Sequence, residues 1–151
     1  MASSQLVTFL SAAEGCALEM LMNSMYMNEQ LQSLDVPEPH RAAIVHMCGV
    51  LVGTKHDIIT EVYETREIVE PAASAVVQMR VERMLQWLGE EMPKLDALVR
   101  SLDTASRTDS ACGGPYLLVA ESATNIYKSF ARVVDAAKDY QQAVKAHGPA
   151  S

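Results

Sequence analysis

Residues 41–64, RAAIVHMCGVLVGTKHDIITEVYE, decide the fold of this chain. Placed at about 100° per residue, Ile44, Val45, Cys48, Leu51, Val52, Ile58, Ile59 and Val62 share one broad apolar arc. Ala42, His46, Gly49, Gly53, Asp57, Thr60 and Glu64 fall in a small and polar stripe beside it. This period predicts a helix running to about Val69 and closed by Pro71. Two glycines in a helix interior cost about 1 kcal/mol each relative to alanine. Their Gly49-x-x-x-Gly53 spacing lowers the helix surface, so a bulky side chain is expected to approach it from the first helix, the fourth helix or another subunit.

Working outward, the preceding segment from Ser3 to Leu34 reads as a first helix, capped at Ser3 or Ser4 and carrying a second cap-like pattern, Ser11-x-x-Glu14. Between Cys16 and Met27 only Glu19, Asn23 and Ser24 interrupt an otherwise apolar run. A helix apolar nearly all round needs more than one partner surface. Leu34 to Pro39 form a turn. Beyond Pro71, expected to open a third helix, Val76, Met79, Met84, Trp87, Leu88, Leu95, Leu98, Val99 and Leu102 keep the helical period, with Arg80, Glu82 and Arg83 on a solvated face. Gly89 and Pro93 fall inside that pattern and predict a kink or break. Asp103 to Gly114 is expected to be a polar linker. Pro115 then opens a fourth helix with Val119, Ala123, Ile126, Phe130, Val133, Val134, Ala137, Tyr140 and Val144 on one face, ended by Gly148-Pro149.

The expected architecture is therefore all-α: an antiparallel up-down four-helix bundle, the third helix kinked or broken near Gly89–Pro93, forming one domain over residues 1–151. Composition agrees. The chain is 49% hydrophobic with only 5% aromatics and nine methionines, so aliphatic side chains must fill the core. Cys16, Cys48 and Cys112 are too few and too irregularly spaced for a disulfide framework, which points to a reducing, cytoplasmic setting. Cys112, in a polar segment, is the thiol expected to react. The net charge of −7 argues against nucleic acid, whose binding needs a clustered basic surface. No signal-peptide pattern and no uninterrupted apolar run of about 20 residues is present, so membrane insertion is not expected.

Chemistry-bearing motifs are sparse. No Glu-x-x-His pair of the di-metal carboxylate bundles occurs. His46 and His56 stand ten residues apart, roughly 15 Å along a helix at ~1.5 Å per residue, too far to share a metal. His46 and Cys48 point to opposite sides. Met20, Met22, Met25, Met27 and Met47 carry soft thioethers, but their helical spacing is that of core filling. Neither a nucleophile elbow nor a phosphate loop is present. His46-Met47-Cys48-Gly49 resembles the histidine-x-x-lysine-glycine pattern of helical phosphotransfer domains, without the lysine and with glycine one place early. The resemblance implies an exposed, phosphoryl-accepting His46.

The leading expectation is a protein-interaction module, such as an adaptor, inhibitor or chaperone-like regulator, working as a homodimer and needing no cofactor. A small-molecule or metal-binding bundle is the alternative. The partner surface is expected at Ala42, His46, Gly49, Gly53, Asp57, Glu61 and Glu64 of the second helix and at Met20, Met22, Met25 and Met27 of the first. Asp57, Glu61, Glu64, Glu67 and Glu70 are expected to form an acidic ridge, either solvated or docking a basic partner.

Overall fold

The computed structural model describes residues 2–33, 36–108 and 113–147. Four helices account for almost all of them: α1 (Ala2–Ser33), α2 (His40–Arg66), α3 (Ala75–Thr108) and α4 (Gly113–His147). No strand occurs among the described residues. Each helix packs on its sequence neighbours and α4 closes the ring on α1, with α1–α4 the most extensive pairing and α2–α3 the loosest. Cross-helix contacts give the direction of each pair. Cys48 of α2 meets Ser24 of α1 while Arg66, about five turns further on, reaches back to Glu14, so α1 and α2 run antiparallel. Arg80 near the start of α3 likewise meets Glu61 near the end of α2. This is the up-down bundle that the periodicity predicts.

The core is aliphatic. Met20 and Met27 of α1, Ile44, Leu51 and Ile58 of α2, Met84, Leu88, Leu95 and Leu102 of α3, and Val119, Ala123 and Ile126 of α4 are fully buried. Burying one Leu, Ile or Met side chain contributes roughly 1.5–3 kcal/mol, so the tie between helices is this shared interior rather than any single polar contact. Phe9, Tyr116 and Tyr140 are the rings buried inside, and the Tyr140 hydroxyl donates to the Ala72 carbonyl at 2.5 Å, pinning α4 to the α2–α3 connection.

Helix ends depart from the sequence reading for local reasons. The Ser11-x-x-Glu14 pattern caps nothing, because α1 runs through it and Glu14 bonds Arg66 at 3.2 Å instead. No basic residue lies in the last turn of α1; Arg41 supplies one from α2, its guanidinium donating to the carbonyls of Leu31 at 2.9 Å and Val36 at 3.1 Å. Helix α2 stops at Arg66, short of Val69. Ser74 rather than Pro71 begins α3: its hydroxyl accepts the N–H of Val77 at 3.3 Å, an N-cap bond that proline has no side chain to make.

Helix α3 runs unbroken through Gly89 and Pro93. Both residues are exposed, so the carbonyl left without its proline N–H partner faces water, while Leu88, Met92 and Leu95 hold the inner face. The same helix continues to Thr108, so the first half of the expected 103–114 linker is helical. Leu102 and Ala105 extend the buried stripe there, and Arg107 pairs with Asp103 at 2.9 Å. Cys112 lies outside the described residues.

Candidate functional site

Helix α2 turns Ile44, Met47, Cys48, Leu51, Ile58 and Val62 inward. Ala42, His46, Gly49, Gly53, Asp57, Thr60 and Glu64 therefore all face solvent, together, as the helical wheel groups them. The bulky neighbour expected over the two glycines from the first or fourth helix is absent. A Cβ built at Gly49 or at Gly53 meets nothing within 4 Å. The reason is geometric: this stripe lies opposite the core-facing side of α2, where no other helix of the bundle can reach it.

Two residues assigned to the apolar arc join that outer surface instead. Val45 is 51% and Val52 43% exposed. They stand three before and four after Cys48, whose thiol contacts the Ser24 carbonyl at 3.6 Å, so they flank the seam where α2 meets α1. Across the seam α1 presents Leu18, Met22 and Met25, spaced i, i+4, i+7 and about half exposed or more. Tyr26 borders the same face towards Leu118 of α4. Met20 and Met27, expected on the partner surface with Met22 and Met25, are core residues, because this pair, seven apart, shares the inner side of α1 while Met22 and Met25, three apart, share the outer side.

The acidic ridge does not form as a continuous strip. Glu61 is 4% exposed and belongs to the bundle's own electrostatics, with Arg80 at 3.0 Å and Arg83 at 3.7 Å from its two carboxylate oxygens. Arg80 also reaches Glu64 at 3.4 Å. The arginines read as a solvated face of α3 are thus drawn across to α2, since a buried carboxylate needs cationic partners. Glu67 and Glu70 lie past the end of α2.

His46 lines a groove of about 470 Å³ between α2 and α3 with Met47, Lys94, Leu98 and Ser101. One turn from Lys94, Glu91 is 5% exposed; one carboxylate oxygen lies 3.6 Å from the lysine and the other has no hydrogen-bond partner among the described residues. No three His, Cys, Asp or Glu side chains converge on a point suited to a metal among the described residues. Burial pushes the Cys16 thiol up to about 12, with the Glu19 charge adding to it, and the Cys48 thiol up to about 11, so both stay protonated and unreactive near neutrality.

Helix α2 is also, by length and composition, the one described helix apolar enough to cross a membrane. Its apolar residues do not form one uninterrupted run, because His46 and Thr54 to Asp57 break them up. Only 28% of its most apolar 18-residue window is buried in the bundle. Comparison of the chain with protein-family models, with curated proteins and with solved structures finds no match.

Proposed function

We propose that this chain is a protein-interaction bundle whose working surface is the outer face of α1 and α2. The observation that carries the reading is that the one described helix apolar enough to cross a membrane has only 28% of its apolar window buried by the bundle. Leu18, Met22, Met25, Val45 and Val52 extend that surface across the α1–α2 seam. Contiguous exposed apolar surface of more than a few hundred Å² marks interaction sites on soluble proteins. The residues lining the groove of the exposed His46 include no carboxylate to orient its imidazole as a base.

Dye binding and light scattering on the wild type and on Met22→Glu/Val52→Glu test the reading. Either self-association or an apolar-dye signal should be present in the wild type and abolished in the variant. A wild-type monomer that binds no dye, indistinguishable from the variant, contradicts it.

A second reading, a small-molecule site, is favoured by the α2–α3 groove, whose floor of Met47 and Leu98 carries His46, Lys94 and Ser101 at its edge. Native mass spectrometry of protein purified without denaturation should then show a bound species that Leu98→Glu removes; an empty spectrum counts against it.

A further inference from the structure

We infer that the surface over α1 and α2 is occupied by a second copy of this chain, related by a two-fold axis that passes close to Gly49 and sets the two α2 helices antiparallel. The inference rests on the interaction reading above and names its occupant.

Area comes first. Leu18, Met22, Met25, Tyr26, Val45 and Val52 are each between 43% and 64% exposed. Side chains of this size at such exposure leave roughly 600 Å² open per protomer, and the intervening glycine and alanine surface of α2 brings this near the ~800 Å² per partner of a standard interface. The face is therefore large enough to hold a dimer without help from another part of the molecule.

Charge selects a copy over the alternatives. Residues 42–54 of α2 and 20–28 of α1 contain no Asp, Glu, Lys or Arg, so the centre of the face has no charge to bury. Its rim carries both signs, Glu19 and Glu29 on α1 and Lys55 on α2, as a self-complementary surface requires. A lipid surface is the other partner an apolar helix suggests. A chain of net charge −7 is repelled by the anionic leaflet that such helices usually meet.

The glycines set the geometry. Val45, Gly49 and Val52 follow one another at i, i+4 and i+7, with Gly53 beside them, and the space over both glycines is open. In an antiparallel pair centred on Gly49, Val45 of one copy stands over the bare backbone of Gly53 of the other. Each β-branched side chain then fills the hollow that the facing glycine leaves. Reflected through Gly49, residues 44–54 overlay one another, so the antiparallel copy sets uncharged surface on uncharged surface over that length. A parallel copy would instead bring the two Lys55 side chains together.

The test is sedimentation equilibrium on the full chain from nanomolar to high micromolar concentration, with three variants checked for helix content by circular dichroism. The wild type should reach twice its 16.5 kDa mass. Val52→Glu and Gly49→Leu should each weaken the dimer at least tenfold, the first by charging the face and the second by filling the hollow. Gly49→Cys in a Cys112→Ser background should cross-link to itself on mild oxidation, because a residue near a two-fold axis meets its own copy.

A dimer indifferent to all three variants overturns the inference, as does a wild type that stays monomeric throughout. In the monomeric case the dye assay separates the two claims. A monomer whose dye signal Val52→Glu removes keeps the interaction surface and rejects the second copy, whereas a monomer without dye signal rejects both. Flotation of the wild type, but not of Val52→Glu, with neutral phosphatidylcholine vesicles also overturns it, in favour of a lipid surface.

Discussion

Replacing Gly49 and Gly53 by alanine separates the dissociated protein from the associated one through opposite signs. In the single bundle each glycine sits in the exposed interior of α2, and a Cβ built there meets nothing within 4 Å, so no packing cost attends the change. What remains is backbone entropy, about 0.8–1 kcal/mol per glycine in favour of alanine. The double variant should therefore gain about 2 kcal/mol as a monomer. At ~2.1 cal/mol/K per residue, the unfolding entropy of a chain this long is roughly 0.3 kcal/mol/K, so the thermal midpoint should rise by about 6 °C. The assay is calorimetry in a Val52→Glu background at micromolar concentration, with Gly89→Ala on α3, equally open, as the control for a glycine outside the face. In the wild-type background the same two methyl groups occupy the hollow between the copies, and the dimer should weaken even as the monomer strengthens. A double variant whose monomer melts no higher than its parent would refute the open-face geometry of α2 on which the reasoning rests.

The two buried glutamates should respond oppositely to an apolar replacement. Glu61→Met leaves Arg80 with Glu64 alone and Arg83 to solvent, and should cost about 1–2 kcal/mol in urea unfolding, below the full cost of breaking a buried pair because both arginines are partly exposed. Glu91→Met removes an unpartnered buried oxygen and should be neutral or stabilising by about 1 kcal/mol. Tyr140→Phe leaves the Ala72 carbonyl without its donor and should lower stability by about 1 kcal/mol in the same titration. Stability should also fall on the alkaline side. Burial raises the Cys16 thiol from 9.0 to about 12, the Cys48 thiol from 9.0 to about 11 and the Tyr140 hydroxyl from 10.0 to about 12. The unfolded chain thus sheds these protons first as pH rises. This contribution is complete below pH 9 and lost between pH 9 and about 12, so urea midpoints should decline across that window and decline less in Cys16→Ala/Cys48→Ala.

What the sequence by itself determined is everything that depends on spacing within one helix. Residues at i, i+3, i+4 and i+7 share a face whatever surrounds them, so the four helices, the grouping of His46 with Gly49, Gly53 and Asp57, and the separation of Cys48 from His46 were all legible. Even the continuation of α3 beyond Asp103 was written there, as Leu102 followed by Ala105 and an Asp103–Arg107 pair, beneath a polar composition that read as linker.

Only the tertiary structure decided how far each helix is rotated about its own axis, because spacing fixes relative angles and not the absolute one. On α3 and α4 the polar faces settle that rotation. On α1 and α2 the apolar circumference is wider than two neighbours can cover, so the sum of packing across the ring chose which part stayed outside. It put Met20 and Met27 within and Met22 and Met25 without, and left Val45 and Val52 in water. Glu61 went inside because α3 brought two arginines to meet it, a partnership between residues about twenty positions apart that no single-helix pattern encodes. The outer face of α1 and α2 is what that rotation leaves over.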